Sequence, residues 1–344
     1  MNKFFFMAVV LLTGHSVIAQ PKVELVRMPD EKKVEVLVGG DLFTAYIYPD
    51  NIKKPVLWPV VSAEGAEITR QFPLKNKAGE RADHPHHVGI WLNYGDVNGL
   101  DFWNNSEAIP EEKASEYGTI HHQFIEKTES GKGKGKLAAT ALWKDNNGVT
   151  LLEEKSEYTF IARGQTRIID RTTALEAVNG KVKFTDNKEG MFAIRVTREL
   201  ELPASGKVEV VDSHGNVTRI DASGDNTATG NYLSSEGVEG GDVWGTRAKW
   251  MKLYGVVDGE KVAVVIFDHP GNPGYPTYWH ARGYGLFSAN TLGQKVFSEG
   301  KEELNFLLND GESAVFRYRL AVFSGDPTVE EINELAKEFK ILLH

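Results

Sequence analysis

The sequence predicts an all-β fold, a large antiparallel β-sandwich with a short helix at its C-terminus. Three observations carry this. Short alternating apolar segments are punctuated by Gly, Asp and Asn turns along most of the chain. Helical periodicity is convincing only near the end. No Pro- or Ser-rich linker divides residues 20–344, which are read as a single β-sandwich domain.

The elements follow in order. Val34–Val38 and Leu42–Tyr48 flank Gly39-Gly40-Asp41 and read as a hairpin. Leu137–Trp143 and Val149–Phe160 flank the longer turn Lys144–Gly148, and Ala162–Gln165 turns into Thr166–Leu175. Phe192–Val196 alternates with period two, so Phe192, Ile194 and Val196 face one way and Ala193 and Arg195 the other. Lys252–Val257 and Lys261–Phe267 flank Asp258-Gly259-Glu260, and Phe306–Leu308 and Ser313–Phe323 flank Asn309–Glu312. Asp326-Pro327 then starts a helix in which Val329, Ile332, Leu335, Phe339 and Leu342 recur at helical spacing. It is expected to lie across a sheet edge as a lid on the core. The Gly131–Lys136 run, alternating Gly and Lys, reads as a solvated loop tip, without the spacing and following helix of a phosphate-binding loop.

Composition sets the broad class. Lys3, the apolar run Phe4–Leu12 and Val17-Ile18-Ala19 make residues 1–19 a secretory signal peptide with cleavage before Gln20, hence a periplasmic or secreted protein. The apolar run is too short for a membrane span, which needs roughly 20 residues. There is no cysteine, so neither disulfides nor thiolate metal sites arise. A net charge of −9 argues against nucleic acid and suits a small-molecule or oligosaccharide substrate.

Candidate chemistry gathers in four stretches. In Asp83-His84-Pro85-His86-His87, Pro85 favours an extended His84. His84 and His86 would then share one side about 7 Å apart, with Asp83 and His87 on the other. The first pair is a candidate divalent-metal site, though no cofactor is required, and acid/base or purely structural roles stand beside it. Trp91 follows in the same stretch. Glu189 sits at the mouth of the strand that carries Arg195; about 20 Å of strand separates them, so they cannot pair locally. Arg247 lies between two tryptophans, where a surface cation–π stack is the plain alternative. The last stretch holds Asp268-His269-Pro270, an echo of Asp83-His84-Pro85 or a coincidence, and then Trp279-His280-Ala281-Arg282. An aromatic face beside planar polar groups is what a sugar ring needs. No G-x-S-x-G elbow, H-E-x-x-H motif or dinucleotide fingerprint is present.

The stretches Asp83–Trp103, Asp186–Val196, Val243–Gly255 and Ile266–Asn290 resemble the bacterial PmoA-like family of unknown function, in order from about Tyr48 to Gly325. That family's label comes from a methane mono-oxygenase subunit with several membrane spans, which this chain does not match. The resemblance implies a β-sandwich of the galactose-mutarotase type and a carbohydrate context. Its pattern often has a basic residue after the histidine pair, where this chain has Val88.

The expectation is an exported carbohydrate-active enzyme, of glycoside hydrolase or lyase type. His86, His87 and His280 are its candidate proton-transfer groups, with Glu189 and Asp268 as a carboxylate pair for hydrolysis. Arg195, Arg247, Arg282, Trp279 and Trp91 are the candidate substrate-binding residues. A lyase with a histidine base and an arginine on a uronate is the close variant. A non-catalytic glycan-binding protein and a metal-dependent enzyme built on His84 and His86 are the alternatives.

Overall fold

The computed structural model describes residues 20–341, and the signal-peptide reading and Leu342 lie outside them. Two antiparallel sheets carry the fold. The front sheet has nine strands, in spatial order Tyr278–Ala281, Leu286–Asn290, Gly190–Arg195, Ile90–Tyr94, Val56–Val60, Asp41–Ile47, Lys33–Val38, Lys22–Met28 and Gly131–Lys132. The back sheet has eight, Asn231–Ser234, Trp250–Val257, Glu260–Asp268, Ser313–Ser324, Thr166–Ala177, Thr150–Arg163, Lys134–Lys144 and Thr119–Glu129. Among the described residues, no helix is long and apolar enough to cross a membrane.

Alternation decides which face each strand buries. Phe43, Leu92, Phe192 and Ile194 of the front sheet join Phe160, Ile169, Tyr318 and Leu320 of the back sheet in one core. Phe192 stacks on Tyr318 with ring centroids 4.9 Å apart. Each such buried side chain contributes about 1.5–3 kcal/mol of transfer free energy. The opposite face of the front sheet holds a second cluster, in which Trp91, Ala193 and Leu286 pack with Trp58, Val88 and Trp103. This outer face carries the candidate site.

The predicted hairpins form except one, and two other expectations are corrected. Phe306–Leu308 and Ser313–Ser324 are both strands but do not pair with each other. The first pairs with Val182–Phe184 as a small separate sheet, and the second lies between Thr166–Ala177 and Glu260–Asp268. The Gly131–Lys136 run is not a free loop tip: Gly131–Lys132 pairs with Lys22–Met28 at the end of the front sheet. A Cβ on Gly135 would lie 2.5 Å from Leu25 Cδ1 and 2.9 Å from the Glu129 carbonyl oxygen, so a larger residue there would have to displace the Leu25 side chain and crowd that carbonyl. The helix Val329–Ile341 buries Ile332, Leu335 and Phe339 against Ile168, Trp250, Val265, Phe267 and Ala321. It therefore covers the outer face of the back sheet, not an edge.

Candidate active site

Strand register lays out the floor. Trp91 pairs with Ala193, Ala193 with Ser288, and Ser288 with His280, one row across four strands. Strands stand about 4.8 Å apart, so Trp91 and His280 mark the ends of a row about 14 Å wide. Parity places His280 on this outer face and its neighbours Trp279 and Ala281 in the inner core.

The Asp83–His87 loop arches over the row. It is not extended: the His87 amide donates to the His84 carbonyl at 3.0 Å, and His84 has a positive φ of 45°. Arg70 holds this turn. Its guanidinium donates to the carbonyls of Asp83 at 2.7 Å, His84 at 2.8 Å and His87 at 3.0 Å, and to the Asp83 carboxylate at 3.1 Å. Carbonyls that would otherwise be buried without partners are satisfied by one planar fork. Gly89, at φ +59°, closes the loop where a Cβ would lie 2.2 Å from the Leu57 oxygen.

The turn brings all three imidazoles together. His84 stacks on His87 at 4.9 Å, and His86 meets His87 edge-on at 4.3 Å. His84, His86, His87, Asn104, Lys188, Glu189, His280, Arg282 and Tyr284 line one cleft of about 560 Å³. The expected division of the histidines between two faces is thus overturned. The extended His84/His86 ligand pair does not form, and among the described residues no group of three or more His, Asp or Glu has metal-holding geometry.

Each imidazole has a distinct electrostatic setting. His87 is fully buried, with Trp103 Nε1 at 3.1 Å from its Nε2 and Arg195 Nη1 at 3.2 Å from its Nδ1. A neutral ring can accept from only one of these donors, so neither nitrogen is free and a second proton is opposed. Burial and then the nearby His86 hold its pKa well below the usual value. Burial, with Lys54 next, lowers His86 to about 2. Burial, with Lys188 and Arg282 next, lowers His280 to about 3. His280 Nδ1 lies 2.8 Å from the Lys188 carbonyl, which can only accept, so the proton sits on Nδ1 and Nε2 keeps a lone pair. Glu189 Oε2 is 3.6 Å from the same Nδ1, and its other oxygen pairs with Lys188 Nζ.

Asp83 backs the loop. Burial alone would raise its carboxyl, but the His84 contact and the charges of Arg195 and Arg70 hold it well below the usual range. Arg195 Nη2 donates to Asp83 Oδ1 at 2.6 Å, and its guanidinium lies 4.9 Å from the Tyr284 ring. His84 Nδ1 is 3.2 Å from the same oxygen, near enough to feel its charge though out of hydrogen-bond alignment.

Of the residues expected at the site, His84, His86, His87, Glu189, His280 and Arg282 line the cleft. Trp91 and Arg195 lie beneath it and shape it without reaching a ligand: both are fully buried, Trp91 stacked on His87. Trp279 is a core residue whose Nε1 donates to the Ala248 carbonyl, so it cannot stack on a sugar. Arg247 is elsewhere, paired with Glu302 and stacked on Tyr278 rather than on a tryptophan. Asp268 belongs to the back sheet, where Asn272 Nδ2 and the Thr277 amide donate to its carboxylate, and it lines a different pocket beside the C-terminal helix. The Glu189–Asp268 pair is therefore excluded, and the Asp-His-Pro echo joins two unlike places. Sequence reasoning missed Arg70, Asn104, Lys188 and Tyr284. Lys188 and Tyr284 adjoin residues that were singled out; Arg70 carries no local signal at all.

A family profile described as a family of unknown function (DUF6807) matches residues 33–337. The chain belongs to this family. The DUF6807 description names no activity and does not carry the PmoA-like label of the resemblance. No curated protein matches the sequence. Among solved structures, the DUF6807 chain is similar to the galactosidase domain of an α-galactosidase–sucrose kinase, AgaSK, at 9% identity and TM-score 0.41, over 88% of this chain and 42% of that one. It is also similar to a galactose mutarotase-like protein from Clostridium acetobutylicum, at 10% identity and TM-score 0.37, over 89% and 99% of the two chains. A Synechocystis protein follows at 9% identity and TM-score 0.31, over 94% and 100%. Likenesses this distant carry no argument about activity.

Proposed function

We propose that this DUF6807 protein is an exported carbohydrate-active enzyme that removes a proton from an anionic sugar, in the manner of a uronate lyase. One observation carries the reading. The cleft sets a neutral imidazole with a defined lone pair, His280, beside two cations, Lys188 and Arg282, and its lining holds a single carboxylate, Glu189. Hydrolysis by the usual pair needs a second carboxylate across the bond, and among the described residues no other Asp or Glu lines the cleft. An anionic substrate group docked on Arg282 and Lys188 would acidify the adjacent C–H.

The chemistry follows from the groups in place. An anionic substrate group offsets the Lys188 and Arg282 charges that, after burial, hold the free imidazole at about 3. His280 Nε2 then takes the C–H proton, and the freed electron pair forms a carbon–carbon double bond as the glycosidic C–O bond breaks. Burial raises the Tyr284 phenol, so its hydroxyl stays protonated and can give the departing oxygen its proton. Glu189, against His280 Nδ1, steadies the imidazolium that forms. Tyr284, the histidine rings and Asn104 supply aromatic and hydrogen-bonding surface for the ring.

The test is a panel of uronic polysaccharides and neutral glycosides, read by the ultraviolet absorbance of an unsaturated product and by reducing ends. Product from uronates, lost in His280→Ala and Glu189→Gln, supports the proposal. Saturable binding with no bond change, indifferent to both substitutions, would replace it with a glycan-binding protein.

A further inference from the structure

Next to the cleft, and sharing His86 with it, lies a second cavity of about 330 Å³. Ile52, Val56, Leu74, Pro85 and Val88 give it an apolar side, and Asn51, Asn105, Ser106 and Glu107 a polar one. Lys54, only 4% exposed, is the cation among its lining residues that lacks a carboxylate partner; Lys53 at the rim already pairs with Glu107. The Lys54 ammonium donates to the His86 carbonyl at 2.7 Å and lies 5.3 Å from the Trp91 ring centroid. An ammonium has three donors, and one carbonyl and one ring face do not satisfy them. Burial lowers the Lys54 amine to about 7, opposed only by the more distant Asp101.

A buried cation without a counter-charge is costly unless a partner arrives. An apolar side beside one such cation, with Glu107 already paired to Lys53, suits a ligand with a flat apolar body and an anionic oxygen. We infer that this cavity is a binding site for an aryl group bearing a carboxylate or phenolate. Resting on the glycan reading of the cleft, it is the subsite for the aromatic aglycone of a glycoside whose sugar occupies the neighbouring cleft. His86 is the divider: its carbonyl faces Lys54, and its ring faces His84 and His87. The cavity lies within the usual size range for small-molecule sites, at its lower end.

Benzoate and its uncharged analogue benzamide are the probes, titrated into the mature protein by calorimetry and by ligand-observed NMR. Benzoate is expected to bind at least tenfold more tightly than benzamide. Lys54→Met removes that difference, Leu74→Trp fills the cavity and abolishes both, and Arg282→Ala changes neither. Melting temperatures of the variants establish that they fold, and Leu74→Trp keeps the test decisive if Lys54→Met does not. No benzoate binding, equal binding of the two probes, or loss with Arg282→Ala but not Lys54→Met would overturn the inference. Benzoate binding that passes these checks beside an inert uronate panel would sink the cleft reading and leave the cavity standing.

Discussion

The Lys188 carbonyl fixes the tautomer of His280, because a carbonyl facing Nδ1 at 2.8 Å leaves the ring proton nowhere else to sit. The lone pair on Nε2 is therefore present before any ligand arrives. His280→Ala is expected to lower kcat/KM on a responsive uronate by about 100-fold or more, the usual worth of a positioned base. Melting temperature should move little by comparison. A variant that melts far lower with kcat intact would assign His280 a structural role only.

Acid should weaken the fold before it rearranges the cleft. His86, His87 and His280 are neutral when folded at pH values where the unfolded chain protonates them, near 6.5. The unfolded state then binds more protons, so stability falls as pH drops from about 6.5 toward the folded values near 3 and 2. Urea midpoints from pH 7.5 to 4.5 check this; a flat profile would contradict the buried, neutral settings.

Asp268 runs in the opposite sense. Burial pushes its carboxyl up to about 7 against the Asn272 and Thr277 hydrogen bonds, so it stabilises the fold at low pH and that contribution is lost as pH rises through 7. The stability of Asp268→Asn relative to wild type should therefore improve between pH 5 and pH 8, by on the order of 1–3 kcal/mol. Paired melts at the two pH values decide it. Activity in the front-sheet cleft should be unchanged by this substitution.

Arg70→Lys is expected to cost about 2–4 kcal/mol, since an ammonium cannot span three carbonyls and a carboxylate at once. Its loss should loosen the Asp83–His87 turn, and with it ligand binding in the cleft. Chemical denaturation and intrinsic fluorescence from Trp91 and Trp103, both in contact with His87, report the two effects separately.

Arg282→Ala and Arg247→Ala should separate cleanly. Arg282 lines the cleft, whereas Arg247 is occupied by Glu302 and the Pro276 carbonyl. Affinity for a uronate should fall at least tenfold in the first and stay within twofold in the second. Equal losses would place the ligand elsewhere.

What was legible in the sequence was local. Hairpins such as Glu260–Asp268 with Trp250–Val257 declare themselves through alternation and a two-sided turn. Val182–Phe184 and Phe306–Leu308 pair across a long stretch of chain, and no local pattern announces such a partner. The helix stripe shows that Ile332, Leu335 and Phe339 are buried, but not which surface receives them. Trp279 and His280 show the same gap at the site. Adjacent strand residues face opposite ways, and only the neighbouring strands reveal which of the two reaches solvent. Pro85 favours an extended His84, yet Arg70 outweighs that preference by gathering the loop's carbonyls. A residue that acts by holding backbone leaves no motif to read.

The carboxylate of Asp83 receives both Arg70 and Arg195, the latter on the strand Gly190–Arg195 of the front sheet. Loop and sheet are thus fastened through a carboxylate whose charge survives well into acid, beside the Arg195–His87 contact. The cleft's shape is consequently buffered against pH even where the fold around it is losing stability. Any pH dependence of ligand binding above the unfolding range would then report the ligand's own ionisation and that of the groups lining the cleft, not a change in the cleft's geometry.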